Sequence, residues 1–82
     1  MHGSLDENPD FTNLPAALLQ EVSRLQSEGC QVENWSATKP GKSSFHVLWL
    51  PTLKQAVIFE HEELKWLDAN QIRDRLQSYL TT

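Results

Sequence analysis

Two short segments, Phe45–Leu50 and Ala56–Phe59, carry large apolar side chains on both sides of what reads as one β-hairpin. In the first, FHVLWL, Phe45, Val47 and Trp49 alternate with Leu48 and Leu50; in the second, AVIF, Ala56 and Ile58 alternate with Val57 and Phe59. A sheet with one wet face shows apolar residues at every second position. Here they stand at nearly every position, so both faces must be kept from water. Slipping the register by one residue exchanges the faces and leaves that requirement in place. Pro51-Thr52-Leu53-Lys54 supplies the turn, where the missing N–H of Pro51 costs no ladder bond.

With 82 residues the chain can build one core, and a domain of this size buries only about 60% of its unfolded surface. Leu14, Leu18, Val22 and Leu25, with Ala17, recur at helical spacing, which predicts a helix over about residues 15–28 closed by Gly29. Thr12 and Asn13 are capping types, and Pro15 is tolerated in a first turn. Cys30–Trp35 alternates as a short strand, and Ser36–Ser44, with Pro40-Gly41, reads as a connection. Asp68 and Gln71 have the spacing of a capping box that opens a second helix with Ala69, Ile72, Leu76, Tyr79 and Leu80 on one face. Residues 60–67 read as a short strand or turn. Residues 1–10, with Gly3, Asn8 and Pro9 and only Leu5 as an aliphatic anchor, read as a mobile N-terminal arm ahead of a single domain over 11–82.

The expected fold is thus a small α+β domain of helix, three or four antiparallel strands, and helix. Either the two helices cover opposite faces of the hairpin or both pack on the same face, and the segregation of helices to one side of an antiparallel sheet favours the second. The other face would then be an apolar surface for a protein partner or a second copy, formed by Phe45, Trp49 and Ile58 with Trp35 or Trp66 nearby. Aromatic residues suit such a recognition surface.

Net charge is −4, and the seven Lys and Arg residues are scattered, so no basic stripe for phosphates is present. Nucleic acid is a minor alternative, with Lys39 and Lys42 as its best contacts. The element order resembles that of double-stranded RNA-binding domains in topology alone, because Asp68-Ala69-Asn70-Gln71 stands where those domains place a lysine cluster. The single cysteine, Cys30, cannot form an internal disulfide and favours a reducing compartment, and no run of about 20 apolar residues is available to span a membrane. The N-terminus carries Asp6, Glu7 and Asp10 where a signal peptide carries basic residues. The expected setting is the cytoplasm.

No nucleophile, base and orienting group stand in a recognised pattern. Cys30 after a helix end reads as a small buried hydrophobe. Gly41-Lys42-Ser43 imitates the end of a phosphate-binding loop but has Ser36 where the first glycine belongs, and Asn34-Trp35-Ser36 matches a glycosylation acceptor by chance. His46 and His61, with Glu60, Glu62 and Glu63, could gather at one sheet edge if the hairpin loop holds an even number of residues. No catalytic, cofactor or metal residues are assigned. The leading expectation is a small protein-binding adaptor, inhibitor or regulatory subunit, homodimeric and not an enzyme. A nucleic-acid-binding regulator or a small metal-dependent enzyme subunit is the alternative.

Overall fold

The computed structural model describes residues 3–8, 10–12 and 14–81. In chain order these form β1 (Ser4–Glu7), α1 (Ala16–Ser27), β2 (Glu33–Thr38), β3 (Phe45–Leu50), β4 (Gln55–Glu60), β5 (Glu63–Asp68) and α2 (Ala69–Thr81). The strands make one antiparallel sheet in the order β1-β2-β3-β4-β5. The α+β class and the helix, strands, helix order agree with the sequence reading, with five strands in place of three or four. None of the described helices is long and apolar enough to cross a membrane.

The β3–β4 hairpin pairs Leu48 with Val57 and Trp49 with Ala56, so each face receives its own apolar set. On one face Leu48, Leu50 and Val57 pack with Leu18, Val22 and Leu25 of α1 and with Leu14 just before it. On the other, Val47, Ala56 and Ile58 pack with Ile72 of α2, flanked by Trp35, Phe45, Trp49, Leu67 and Leu76. The two helices therefore cover opposite faces, which corrects the expectation of one shared face. Burying an aliphatic side chain of this size stabilises by roughly 1.5–3 kcal/mol. Stacking both helices together would leave Val47, Ile58 and their neighbours in water, and that loss outweighs the layer tendency from which the shared face was inferred.

Local chemistry aims each helix at its face. α1 ends in a Schellman motif, in which the Cys30 N–H donates to the Leu25 carbonyl at 2.9 Å and the Gly29 N–H to that of Gln26 at 3.0 Å. Gly29 takes the left-handed conformation this requires, with φ 84°. The turn drops the chain to the start of β2, with Cys30 and Val32 packed against the α1 core. At the other end Asp68 closes β5 and opens α2. Its Oδ1 accepts from the Gln71 N–H at 2.8 Å while the Gln71 Oε1 accepts from the Asp68 N–H at 3.0 Å, a reciprocal capping box.

Two boundaries differ from the sequence reading. β2 begins three residues later than Cys30 and runs on to Thr38, because Ser36 and Ala37 find ladder partners in His46 and Phe45. Residues 1–10, read as a mobile arm, contain β1, whose Ser4–Glu7 pairs with Thr38–Trp35. Its side chains are all exposed, so backbone pairing rather than apolar anchoring places it. Buried Asn34 ties down the following segment: its Nδ2 donates to the Asp10 carbonyl at 3.0 Å and its own carbonyl accepts from the Asn8 N–H at 2.7 Å. At the opposite end of β1, a Cβ added to Gly3 would lie 2.5 Å from Leu80 Cδ2 and 2.9 Å from the Thr38 carbonyl oxygen, so the first strand and the last helix meet in one tight corner. Met1, His2, Pro9, Asn13 and Thr82 lie outside the described residues, so the arm is described only in part and Asn13 as a capping residue is not. Pro15 occupies the cap of α1 with no side-chain hydrogen bond.

β4 and β5 are joined by His61 and Glu62 alone, with φ of 53° and 63°. A two-residue hairpin loop with both residues left-handed is a type I′ turn, whose twist matches the strands and which strongly favours Asn-Gly. Glu is poorly suited to this region because its Cβ crowds the following carbonyl. Replacing the pair by Asn-Gly (His61→Asn with Glu62→Gly) is expected to stabilise the fold by about 1–2 kcal/mol. Urea denaturation of the two proteins checks this, and an unchanged or lowered midpoint would show that the turn carries no strain.

Candidate functional site

Five strands at about 4.8 Å spacing put the outer two roughly 19 Å apart, whereas a helix is about 10 Å across. One helix cannot roof one face of this sheet. α2 leaves β5 at Asp68, and its far end reaches the other side of the sheet, where Leu80 meets Gly3 and the Tyr79 hydroxyl donates to the Ser43 carbonyl at 2.5 Å. This diagonal course leaves an uncovered corner on each flank of the helix.

The corner over β1, β2 and β3 is apolar. Trp35, Val47 and Trp49 form its floor, Ile72, Leu76 and Leu80 of α2 its wall, and Leu5 its outer end, around a groove of about 630 Å3. The cross-strand register accounts for the floor. Trp35 pairs with Val47, Glu33 with Trp49 and Ala37 with Phe45, so all of these face α2; Leu5 joins the same face opposite Ala37. The wall follows from four-residue spacing on α2. The Trp35 Nε1 donates to Glu33 Oε1 at 3.1 Å, which satisfies its polar edge and leaves the ring to the groove. Glu33, Arg73, Gln77 and Thr81 border the opening.

The five residues nominated from the sequence are not brought together. Trp35 and Trp49 share the groove. Phe45 is on the same sheet face but the other flank of α2, stacked on Tyr79 with ring centroids 5.6 Å apart. Ile58 is fully buried beneath α2 and cannot contribute to an exposed patch. Trp66 pairs with Val57 and so lies on the α1 face, where it is 41% exposed beside Leu64 at 37%. Leu76, Leu80, Leu5 and Arg73 were missed, although helical spacing already put Leu76 and Leu80 on one face; what the sequence lacks is the direction in which α2 crosses the sheet.

The other corner is polar and holds α2 down. Arg75 donates to both Glu60 oxygens, Nη1 to Oε2 at 2.7 Å and Nη2 to Oε1 at 2.8 Å, and Lys65 Nζ donates to Oε1 at 3.1 Å. Glu60 thereby links β4, β5 and α2. Lys42 Nζ sits 5.3 Å from the Tyr79 ring centroid, a cation–π contact that engages one of the two loop lysines considered for nucleic acid.

No family model, curated protein or solved structure matches this chain.

Among the described residues, no group of three or more His, Cys, Asp or Glu side chains is placed to hold a metal ion. The β3–β4 loop does have an even length, but the ladder stops at Leu48 and Val57, His61 lies in the next turn, and His46 Nδ1 meets Ser36 Oγ at 3.2 Å. Burial lowers the His46 pKa from its ordinary 6.5. Cys30 is half-buried against the α1 core, as its sequence context suggests.

The Arg75 hydrogen bonds, followed by that of Lys65, lower the Glu60 pKa from 4.5 to about 2. A carboxylate with a depressed folded pKa contributes stability above its unfolded pKa and loses it as pH falls through the folded one. The thermal midpoint should therefore drop between about pH 4.5 and pH 2, and drop less in Glu60→Gln. Parallel melting curves for the two proteins across that range would discard the role of Glu60 as a latch.

Proposed function

We propose that this chain is a small binding module that seats an apolar segment of a partner protein in the groove between α2 and strands β1–β3. The observation that carries the reading is the groove itself, a concavity of about 630 Å3 floored by two tryptophans and walled by leucine and isoleucine. Concave apolar sites of some 300–1,000 Å3 rimmed by a few polar groups are the usual form of a binding site, and tryptophan is enriched among residues that dominate binding energy. A protein segment suits it better than a free small molecule. Among the described residues only Leu5 of β1 lines the outer side, so a small ligand would keep much of its surface in water, whereas a partner brings its own cover.

The reading moves the binding surface from a whole sheet face to the part that α2 leaves open. It also changes the case for a homodimer. A second copy was invoked to shield a bare face, and α1 and α2 already cover both faces of β3 and β4. An adaptor, inhibitor or regulatory subunit that acts on a different protein is therefore preferred to self-association.

The test is to pan a random peptide display library on the immobilised protein. A consensus of spaced apolar anchors is expected, with binding lost in Trp49→Ala and reduced at least about tenfold in Leu5→Glu, the scale of a residue worth more than 1 kcal/mol. Leu5 is 39% exposed, so its replacement leaves the core intact. Failure to enrich any consensus, or peptides that bind both variants as well as the parent, would remove the groove as the binding site.

A further inference from the structure

Resting on the groove reading above, we infer that its occupant is an amphipathic α-helix whose apolar stripe is flanked by an acidic residue on one side and a basic residue on the other. Backbone chemistry selects the helix. The floor is a sheet face and the wall is a helix flank, and away from the outer edge of β1 and the last turn of α2 neither offers free backbone donors or acceptors, since those of a sheet lie in its plane and those of a helix are used internally. An extended segment lying here would bury its own N–H and C=O groups without partners, at about 1–3 kcal/mol for each. A helix satisfies them within itself. The dimensions agree. Ile72 and Leu80 stand eight positions apart, about 12 Å of wall, which matches just over two turns of a second helix lying beside α2 at the usual 8–10 Å separation. The seat is the place on this face that a second helix of the same layer would fill.

Charge sets the orientation. Arg73 stands on the helix side of the opening. The ion pairs among the described residues use Arg24, Lys65 and Arg75 but not Arg73, so its guanidinium is available to a carboxylate of the partner. The sheet side is acidic: Glu33 borders the groove, and Glu7 pairs with Trp35 on the same face. A helix with an acid towards α2 and a base towards β1 and β2 meets opposite charge on both edges, and reversing it meets like charge on both.

The probes are two synthetic peptides of about 16 residues, long enough to form helix readily on binding, with the same leucine stripe, one carrying an acidic and a basic flank and the other glutamine at the same flank positions. A third peptide keeps the charged flanks but carries two central prolines, which bar the helix. Titration calorimetry against the intact protein is expected to favour the charged-flank peptide over the glutamine-flank one by about fivefold, the upper range for exposed charge pairs, with helical circular dichroism gained on binding. Arg73→Glu, which makes both edges of the groove acidic, should erase that preference. Equal binding of the charged-flank and glutamine-flank peptides to the parent, or an undiminished preference in Arg73→Glu, would overturn the charge assignment, and a proline peptide that binds as well as the helical ones would overturn the helix. If none of the three binds while the display consensus does, and Leu5→Glu abolishes that consensus binding, the groove reading stands and this inference falls; if nothing binds in either experiment, both fall.

Discussion

Water must be excluded from both sides of the β3–β4 hairpin, and the rest of the architecture answers to that demand. Leu48, Val57 and Ile58 are fully buried although they point in opposite directions from one thin layer of backbone. A sheet so constructed needs a roof on each side, and the chain supplies one helix before the hairpin and one after it. Each helix is narrower than the five-stranded sheet it covers. The uncovered remainder takes its character from whatever side chains the outer strands present. On the α1 side β2 presents Asn34 and Ser36, and the segment around Asp10 is fastened there through Asn34. On the α2 side the same strand presents Trp35, and nothing among the described residues fills the space beside it as a helix would.

The two flanks of α2 divide the work. On one, Glu60 receives both arms of the Arg75 fork and the Lys65 ammonium, and Tyr79 is held by Ser43 and Phe45. On the other, the helix offers the hydrocarbon of Ile72, Leu76 and Leu80 to the groove wall, with Arg73, Gln77 and Thr81 at its edge. Holding a helix from one side leaves its other side in a defined position, so the groove exists before anything enters it. Preformed sites of this kind lose less conformational entropy on association than sites that must be assembled by the ligand.

Much of this fold is legible in local patterns. The stripe from Leu14 to Leu25, the stop at Gly29, the double-sided hairpin and the Asp68–Gln71 capping box each encode their element within a few residues. β1 is not legible in that way: S-L-D-E has no strand composition, and it pairs because β2 offers an open edge. The helix-to-face assignment is also non-local. It depends on how the chain leaves β5, where one aspartate both ends the strand and caps the helix, and on the burial that only the second face can provide. The candidate site was half legible. Trp35 and Trp49 were identified by type, whereas Trp66 could be separated from them only by the β4–β5 register, and Arg73 only by the diagonal lie of α2.

The corner where Gly3 abuts Leu80 and the Thr38 carbonyl brings the earliest described residue against the final helix. Tension applied through these two points would load a single edge of the sheet, and the antiparallel ladder between β1 and β2 would open rung by rung instead of shearing all at once. Since β1 also carries Leu5, the outer end of the groove, such a pull would dismantle the groove before it reached the doubly roofed centre.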